Sequence, residues 1–533
     1  MTGKLFYGDN LDILRNSIAD ESVDLVYLDP PFNSNASYNV LFKAPDGHES
    51  HAQMEAFDDT WHWTDVAERA FDEVMHSGNT DAAEMLRAMR SFLKENDMMA
   101  YLAMMAVRLI ELHRVLKKTG SLYLHCDPTA SHYLKVLLDA VFGARLFRNE
   151  IIWKRANAHN DPKRYGRVSD TILYYAKSSQ PLWNPQYTEY REDYYKSHFQ
   201  KDENGRLFRT VPLDAPRHGE GSPNLIYDWH GKLPARTRTW AVKRETMEEY
   251  DRNGRLRYTK TGTPTLLQYA DEMPGVPLQN IWTDIPPVNP QAQERLGYPT
   301  QKPQALLERI INASSNEGDV VLDPFCGCGT TVHAAQKLNR EWIGIDVTHL
   351  AISLIQKRLR DAFGPSVAIE VNGVPKDIGG AEALAEADKY QFQWWAVSLV
   401  DAIPFGDKKK GADGGIDGLI YFKPDGKATE KAVVSVKGGR NVGVTMVKDL
   451  IATVEREKAK MGIFITLAPP TGPMIKEAAA AGFYKTDYGS YPKIQILTIE
   501  QLFEGHKPHM PWIDPTVFRK AKKEDTSKQH KLL

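Results

Sequence analysis

The stretch VVLDPFCGCGTT at residues 320–331 decides the fold, because an apolar run there leads into a glycine-rich turn and then into a sequence compatible with a helix. Residues 320–322 have the residue types of a buried strand. Gly327 and Gly329 carry no Cβ, so the backbone of the turn can approach a ligand closely. A strand, a glycine turn and a helix in this order are typical of a parallel α/β sheet with a ligand site at its carboxyl edge.

Two acids flank this turn. Asp323 stands at its mouth, and Asp346 ends the next apolar run. The turn has neither the lysine of a phosphate-binding loop nor a complete G-x-G-x-x-G pattern, and Asp323 would repel a phosphate. We therefore expect Asp323 to bind a cationic amino group and Asp346 to bind the hydroxyl pair of a ribose. A tight turn that binds no ligand is the alternative.

A second motif, DPPF at residues 29–32, follows the apolar run VDLVYL at residues 23–28. It stands where a strand ends, which is where open α/β sheets bind their ligands. The carboxylate of Asp29 and the carbonyl of Pro30 can accept both hydrogens of a planar amine, and prolines restrict the backbone that carries that carbonyl. The motif predicts a catalytic group, with an ordinary turn as the alternative. Its members are Asp29, Pro30, Pro31 and the aromatic Phe32.

Bulk properties set limits on the kind of protein. A length of 533 residues suggests about three domains, and 42% hydrophobic with 26% charged residues is typical of a globular protein. The formal net charge of −2 means that any surface for nucleic acid has to be a local basic patch. Three cysteines exclude a disulfide scaffold. No signal peptide and no apolar run of membrane-spanning length is recognisable, which predicts a cytoplasmic protein.

Changes in pattern along the chain predict its domain organisation. Alternating strand and helix patterns occur in two separated segments, so we expect both to build one sheet around an inserted, partly β domain. A linker then leads to a smaller α/β domain and a disordered, charged tail. The predicted ranges are, in that order, 1–152 with 299–364, the insertion 153–298, the linker 365–388, the domain 389–515 and the tail 516–533.

The order of the motifs resembles the β class of DNA amino-methyltransferases, in which D-P-P-[YF] precedes the target-recognition region and F-x-G-x-G follows it. Here DPPF comes first and FCGCG, at residues 325–329, comes last. The resemblance covers about residues 1–362. It implies a Rossmann-like, S-adenosylmethionine-dependent methyltransferase sheet, with 153–298 as the target-recognition insertion.

The resemblance also implies a set of cofactor-binding residues. TQKP at residues 300–303 is similar to the segment that closes over the cofactor, and GDN at residues 8–10 is similar to the segment near its adenine. The implied cofactor-binding residues are Asp9, Asn10, Gln301, Lys302, Pro303, Asp323, Pro324, Phe325, Gly327, Gly329, Thr330 and Asp346.

What the resemblance implies is a site-specific transfer of a methyl group to the exocyclic amine of a base flipped out of double-stranded DNA. D-P-P in place of S-P-P favours adenine N6, and cytosine N4 is the alternative. A methyltransferase acting on RNA or on protein glutamine, and a DNA-binding module without catalysis, are competing hypotheses. The expected setting is the cytoplasm of a prokaryote or a phage-infected cell, in association with the nucleoid. The oligomeric state stays open, a dimer included.

The C-terminal domain carries a third pattern. Asp417 precedes the run LIYF at 419–422, and Lys437 ends the run VVSVK at 433–437. An acid and a lysine on adjacent strands resemble the PD-(D/E)-x-K nuclease fold in its Mrr-like restriction branch. The resemblance implies a nuclease-like site in which Asp417 holds Mg²⁺ and Lys437 polarises water or phosphate. Ser435 stands where Glu, Asp or Gln is usual, so an active nuclease in a bifunctional restriction–modification enzyme and an inactive remnant are both open.

Overall fold

A computed structural model of the chain describes residues 3–31, 37–43, 49–58, 62–157, 163–190, 192–217, 223–289, 292, 294–295, 301–405, 415–425, 429–511 and 524. Phe32 of the predicted catalytic group lies outside these residues, as does the predicted tail apart from Glu524. Within the described ranges, no helix is both long enough and apolar enough to cross a membrane.

The first part of the chain alternates strands and helices. Its strands are β1 (Gly3–Tyr7), β2 (Val23–Leu28), β3 (Ser37–Lys43), β4 (Glu49–Asp58), β5 (Leu116–Cys126), β6 (Phe147–Lys154) and β7 (Ser169–Ala176). Its helices are α1 (Asn10–Ser17), α2 (Asp65–His76), α3 (Thr80–Leu93), α4 (Asp97–Val115) and α5 (Ser131–Phe142). The strands β3 and β4 pair as an antiparallel hairpin.

Residues Pro185–Gln279 form a separate compact unit. Its strands are β8 (Tyr187–Thr188), β9 (Gln200–Lys201), β10 (Leu207–Pro212), β11 (Asp214–Pro216), β12 (Arg238–Trp240), β13 (Leu256–Tyr258), β14 (Pro264–Tyr269) and β15 (Val276–Pro277). Its helices are α6 (Glu192–His198) and α7 (Arg244–Arg252). The largest sheet of the unit is antiparallel, and beside it Leu213, Trp229, Trp240 and Met247 form a small buried cluster.

The chain then returns to the first sheet. The strands added are β16 (Ile281–Trp282), β17 (Val320–Asp323), β18 (Glu341–Asp346) and β19 (Ile369–Asn372), and the helices are α8 (Gln304–Ser314), α9 (Thr330–Lys337) and α10 (His349–Phe363). The completed sheet has nine strands in the order β16-β6-β7-β5-β2-β17-β18-β1-β19. Only β7 runs antiparallel to its neighbours, β5 and β6. Two distant segments therefore build one sheet, as the pattern predicted.

The C-terminal part has its own sheet. Its strands are β20 (Ile403–Pro404), β21 (Gly418–Phe422), β22 (Glu430–Lys437), β23 (Met461–Thr466), β24 (Phe483–Thr486), β25 (Gly489–Pro492) and β26 (Ile494–Thr498). Its helices are α11 (Ile378–Ala387), α12 (Lys389–Ser398), α13 (Val444–Arg456), α14 (Gly472–Ala480) and α15 (Ile499–Phe503). Five strands pair in the order β20-β21-β22-β23-β26. Successive residues of β22 point to opposite faces of the sheet. Val434 belongs to an apolar cluster that includes residues of α12, and Val433 belongs to one that includes residues of α13, so helices cover both faces.

Two predicted boundaries differ from the structure. The compact unit is narrower than the insertion predicted at 153–298, because β7 and β16 hydrogen-bond into the nine-stranded sheet. The predicted linker at 365–388 is wrong as an unstructured segment, since β19 pairs with β1 at the sheet edge and α11 buries Ala381 and Ala385 in the C-terminal core. Small residues there serve close helix packing and do not mark a loose connection.

Candidate active site

The turn that begins with Asp29, Pro30 and Pro31 and the glycine turn that begins after Asp323 leave adjacent strands at the centre of the sheet. β2 pairs in parallel with β17, and Val26 lies opposite Leu322 in their register. Asp29 follows β2, and Asp323 is the last residue of β17. Because parallel strands end at the same edge, the two acids come together there, and the charge of Asp29 contributes to raising the pKa of Asp323.

Asp29 uses its two carboxylate oxygens differently. Oδ2 forms an ion pair with the Nζ of Lys302. Oδ1 is buried and has no hydrogen-bond partner among the residues that the structure describes. Pro30 is buried and Pro31 is half-buried, so the backbone after Asp29 is held in place. The turn thus presents one carboxylate oxygen that is fixed and one that is available.

Asp323 lies deeper than Asp29. Its Oδ1 accepts a hydrogen bond from the backbone N–H of Phe325 at 3.0 Å, and 3% of the residue is exposed. Burial raises the pKa of Asp323 to about 7, against the lowering effect of hydrogen bonds from Thr331 and Phe325. The free protein therefore holds an acid that is poised near neutrality and that a bound cation would ionise.

The two glycines are required by the shape of the turn. Gly327 has φ +48° and Gly329 has φ +75°, a region that residues with a Cβ rarely adopt. At Gly329 an added Cβ would also lie 2.6 Å from the Cγ1 of Ile355 on α10. Thr330 follows as the first residue of α9 and is buried. The backbone is thereby folded tightly against α10 and α9.

Asp346 supports the same turn from β18. Its Oδ2 accepts the backbone N–H of Gly327 at 2.9 Å, and its Oδ1 accepts the N–H and the hydroxyl of Thr348 at 2.9 and 2.8 Å. Burial raises the pKa of Asp346 to about 6. A carboxylate oxygen has more than one lone pair, so these bonds leave capacity for hydroxyl donors of a ligand.

The N-terminal residues Asp9 and Asn10 meet the glycine turn from the other side. Asn10 Nδ2 donates to the carbonyl of Pro324 at 2.8 Å, across 314 residues of sequence. Arg108 of α4 donates from Nε to Asn10 Oδ1 at 2.6 Å and from Nη2 to both oxygens of Asp9, at 3.0 and 2.9 Å. Asp9 also caps α1 through the N–H of Leu11. The two residues therefore have structural partners in addition to their predicted role.

The segment before α8 brings Gln301, Lys302 and Pro303 to this edge. Gln301 Nε2 donates to the carbonyl of Glu294 at 2.5 Å. Lys302 contacts Asp29 as described, and Pro303 is the N-cap residue of α8. Of the three, Lys302 contacts Asp29, which is a contact that the motif did not predict.

Two buried arginines escaped the sequence analysis. Arg358 of α10 donates from Nη1 to the carbonyl of Cys328 and to Thr330 Oγ1, both at 3.1 Å, and from Nε to His333 at 3.1 Å. Arg108 makes the contacts described above and is 5% exposed. Each lies among mostly apolar residues on the buried face of its helix. A charge at an apolar helical position is the signal that would have found them.

A buried polar array also lies beside β2. The hydroxyl of Tyr27 lies 2.8 Å from His125 Nδ1, and His125 Nε2 lies 3.2 Å from Asp170 Oδ2. Burial disfavours ionisation of Asp170, but the His125 hydrogen bond and the charge of Arg155 outweigh it and lower its pKa. The array connects β2 to β5 and β7 immediately before Asp29. In the sequence, the array could have been recognised from single polar residues inside apolar runs.

The C-terminal sheet brings together the residues of the predicted nuclease-like site. Asp417 Oδ2 accepts the backbone N–H of Val436 at 2.6 Å and lies 3.8 Å from Lys437 Nζ. Lys437 Nζ also donates to Ser435 Oγ at 3.1 Å. Within the described part of the chain, no group of three or more His, Cys, Asp or Glu side chains is arranged to hold a metal ion. Asp417 is therefore engaged by protein groups of its own sheet.

Sequence comparison relates the chain to two families. The DNA methylase family matches residues 23–357, and a restriction endonuclease family matches residues 384–504. Both agree with the families that the motifs resemble. The crystal structure of TTHA0409 from Thermus thermophilus in complex with S-adenosyl-L-methionine resembles 69% of this chain and 99% of its own, at 17% identity and a TM-score of 0.32.

Three curated relatives are similar to parts of the chain. The type II methyltransferase M.EcaI of Enterobacter cloacae is 33% identical over 269 residues, which are 50% of this chain and 59% of that protein. The Mod subunit of the type III restriction-modification enzyme StyLTI of Salmonella typhimurium is 29% identical over 350 residues, 63% of this chain and 50% of that subunit. The DNA adenine methyltransferase YhdJ of Escherichia coli K12 is 25% identical over 356 residues, 67% and 82%. The chain thus spans 50% to 59% of the length of the first two.

Proposed function

The chain belongs to the DNA methylase family, and on that premise we propose that it transfers a methyl group from S-adenosylmethionine to the exocyclic amine of a base in DNA. The observation that carries the proposal is the buried Oδ1 of Asp29, which has no hydrogen-bond partner in the described part of the protein. A buried acceptor without a partner costs free energy, on the order of 1–3 kcal/mol. Such an atom is expected where a substrate supplies the missing donor.

The residues around the glycine turn fit S-adenosylmethionine. Asp323 offers a buried carboxylate to its ammonium group, and the raised pKa of about 7 is what a cation-binding acid shows before the cation arrives. Asp346 offers acceptors to the ribose hydroxyls, beside the backbone of Gly327 and Gly329. The further residues proposed to line the cofactor are Asp9, Asn10, Gln301, Pro303, Pro324, Phe325 and Thr330.

Asp29 and Pro30 carry the proposed chemistry. S-adenosylmethionine would supply the methyl group: the amine nitrogen would form the new N–C bond as the C–S bond breaks with its electron pair on sulfur, and the proton that the nitrogen releases would pass to Asp29 Oδ1. Asp29 Oδ1 and the Pro30 carbonyl accept the two amine hydrogens, which draws the nitrogen towards tetrahedral geometry and directs its lone pair at the methyl carbon. The rest of the acceleration comes from alignment of the reacting atoms.

We propose adenine N6 as the acceptor, with cytosine N4 as the alternative. The support is the D-P-P form of the catalytic motif and the similarity to a relative that is named as a DNA adenine methyltransferase. An exocyclic amine inside a duplex is occupied by base pairing, so the target base has to be flipped out, at a cost of a few kcal/mol. Phe32, which lies outside the described residues, is proposed to stack on the flipped base.

Residues 185–279 are proposed to read the DNA sequence. The unit presents exposed cationic residues, among them Arg236 and Lys243, and the exposed aromatic ring of Tyr258. Cationic side chains neutralise phosphates and aromatic rings stack on bases, which is the combination that nucleic-acid surfaces use. Arg238 is engaged by Asp214 of its own unit, so it is a weaker candidate for phosphate contact.

Sequencing of modified bases tests the proposal most directly. DNA from methylation-deficient cells that express the protein should carry methylated adenine at one sequence context. Asp29→Ala should lower transfer by roughly 10²–10⁴-fold, because the amine loses its acceptor, while titration calorimetry shows near wild-type affinity for S-adenosylmethionine. Glu341→Ala is a matched control, since Glu341 is an exposed acid at the start of β18, at the other end of that strand from Asp346. Full activity in Asp29→Ala would refute the assignment.

For the C-terminal domain we propose a nuclease-like module that engages DNA, with Mg²⁺-dependent cleavage as the alternative function. The match to a restriction endonuclease family and the proximity of Asp417 to Lys437 support it. Asp417, Ser435 and Lys437 would be its site, and Asp417 would be the metal ligand. Incubation of unmethylated DNA with the protein and Mg²⁺ tests cleavage, and absence of cutting in wild type would remove the alternative.

A further inference from the structure

We propose that Lys302 is a positioning residue that fixes the catalytic carboxylate of Asp29, in place of the cofactor-binding role that its motif suggests. The inference rests on the proposed function of Asp29 as the acceptor of the amine hydrogen. In this proposal Lys302 affects the reaction by holding Asp29 in position, and no contact between Lys302 and the methyl donor is required.

The ion pair joins two distant segments in a nearly dry environment. Lys302 and Asp29 are 273 residues apart in sequence. The side chain of Lys302 is 12% exposed and that of Asp29 is 18% exposed. Charges removed from water are stable only when they are well paired, and loss of either partner leaves the other uncompensated. The pair therefore constrains the position of the carboxylate as well as balancing its charge.

Lys302 is attached to a rigid support. It precedes Pro303, whose ring restricts the backbone and which is the N-cap residue of α8. The helix buries one apolar face, which consists of Leu306, Leu307, Ile310 and Ile311. Because this face is packed in the core, the position of α8 determines the position of Lys302.

The groups that face Asp29 from the neighbouring strands are acidic or neutral. At the end of β17, Asp323 has a pKa raised by burial and, among smaller causes, by the charge of Asp29. On β5, burial raises the pKa of Cys126, and on β2 burial raises that of Tyr27, with Asp29 contributing to both. Lys302 is the cation in contact with Asp29, and its charge also reaches Asp170. It offsets a local excess of negative charge.

The pairing decides which carboxylate oxygen meets the substrate. Lys302 occupies Oδ2, and Oδ1 is the buried atom that has no hydrogen-bond partner in the described ranges. With the ammonium at Oδ2, Oδ1 is the carboxylate oxygen left to accept a hydrogen from the amine. Lys302 thereby selects Oδ1 as the acceptor.

The test compares Lys302→Met and Lys302→Arg with a matched control, Lys357→Met, which removes a lysine from a half-buried pair with Asp361 on α10. Lys302→Met should lower kcat for DNA methylation roughly 100-fold, as a misplaced catalytic group does, without a matching loss of affinity for S-adenosylmethionine in titration calorimetry. Lys302→Arg should recover part of the lost kcat, because it restores a cation beside Oδ2, and Lys357→Met should behave as wild type.

A second measurement needs no activity. Urea unfolding of Asp29→Asn, Lys302→Met and the double variant should show that the double variant is more stable than the sum of the single losses predicts, because neither charge is then left alone. Strictly additive losses would overturn the pairing.

Other outcomes would overturn the proposal on kinetic grounds. An unchanged kcat at saturating cofactor, with a large loss of cofactor affinity in Lys302→Met, would return Lys302 to the cofactor site. Equal losses of kcat in the Met and Arg variants would show that its charge does not act on Asp29. Failure of the proposed function is distinguishable from both, because wild type itself would then bind S-adenosylmethionine and methylate no base in DNA.

Discussion

The chain carries a buried carboxylate paired with a lysine in each of its two α/β sheets, and the two pairs differ in how the carboxylate is used. Asp29 contacts Lys302 through Oδ2, and its buried Oδ1 has no hydrogen-bond partner within the described residues. Asp417 accepts the backbone N–H of Val436 with the same Oδ2 that faces Lys437 at 3.8 Å. The residue types are alike, but of the two acids only Asp29 has a buried carboxylate oxygen without a hydrogen-bond partner within the described residues.

The difference shows that a pair of residue types does not define a site. A backbone N–H bound to a carboxylate makes the acid part of its sheet, since breaking that bond leaves a buried donor unsatisfied. An oxygen that the protein leaves without a donor is stabilised only when a ligand arrives. The surroundings also differ, because Asp29 acts on a further acid, Asp323, whose pKa burial raises to about 7. Asp323 is in turn affected by Asp346, whose pKa burial raises to about 6.

The largest effect is expected for Asp323 in the first region, which is the site around Asp29 and Lys302. The affinity of wild type for S-adenosylmethionine should fall as pH decreases below 7, by up to about tenfold for each pH unit, because protonation removes the charge that attracts the ammonium group. Asp323→Asn should bind weakly at every pH in this range. Titration calorimetry between about pH 5.5 and 7 measures both proteins, within the range where the amino group stays charged. If the affinity of wild type for S-adenosylmethionine does not change with pH, the proposed difference between a ligand-binding acid in the first sheet and a structural acid in the second is wrong.

A smaller effect is expected in the second region, where the acid is structural. Asp417→Ala should lower the free energy of unfolding by about 1–3 kcal/mol, because the N–H of Val436 loses its acceptor in a buried position. Urea denaturation followed by circular dichroism measures the change. Asp449→Ala is the matched control, since Asp449 is an exposed acid of α13 in the same domain. Equal stability of the two variants would contradict the structural role of Asp417.

The smallest effect is expected from an attempt to make the second region resemble a metal site. Ser435→Glu places a second carboxylate beside Asp417 and two residues before Lys437. The variant should gain about 1.4 kcal/mol of stability at a Mg²⁺ concentration ten times its Kd, because only the folded state holds the ion. Ser435→Gln has the same shape without the charge and should gain nothing. If thermal unfolding shows no effect of Mg²⁺ on either variant, the serine is not what prevents metal binding.

The sequence predicted the elements that surround the site more reliably than the borders between domains. The runs at 23–28 and 320–322 are strands in the structure, and Pro303 precedes a helix. The border at 153 was wrong for the compact unit because β7 enters the main sheet antiparallel, and the linker at 365–388 was wrong because β19 and α11 lie within it. Apolar runs report burial but not the partner strand, so edge and antiparallel strands are assigned to the wrong domain.

The sequence by itself determined the local chemistry of both turns. The strand types, the glycines at positive φ and the acids at the strand ends depend on residues close to one another in the chain, where sterics and hydrogen bonding act over a few positions. Only the tertiary structure decided that Lys302 pairs with Asp29, that Arg358 binds the glycine turn, and that Asp417 is bound by a backbone amide. It also decided that Arg108 binds Asn10, which in turn binds Pro324. Those contacts depend on which strands lie side by side, and the packing of the whole sheet sets that order.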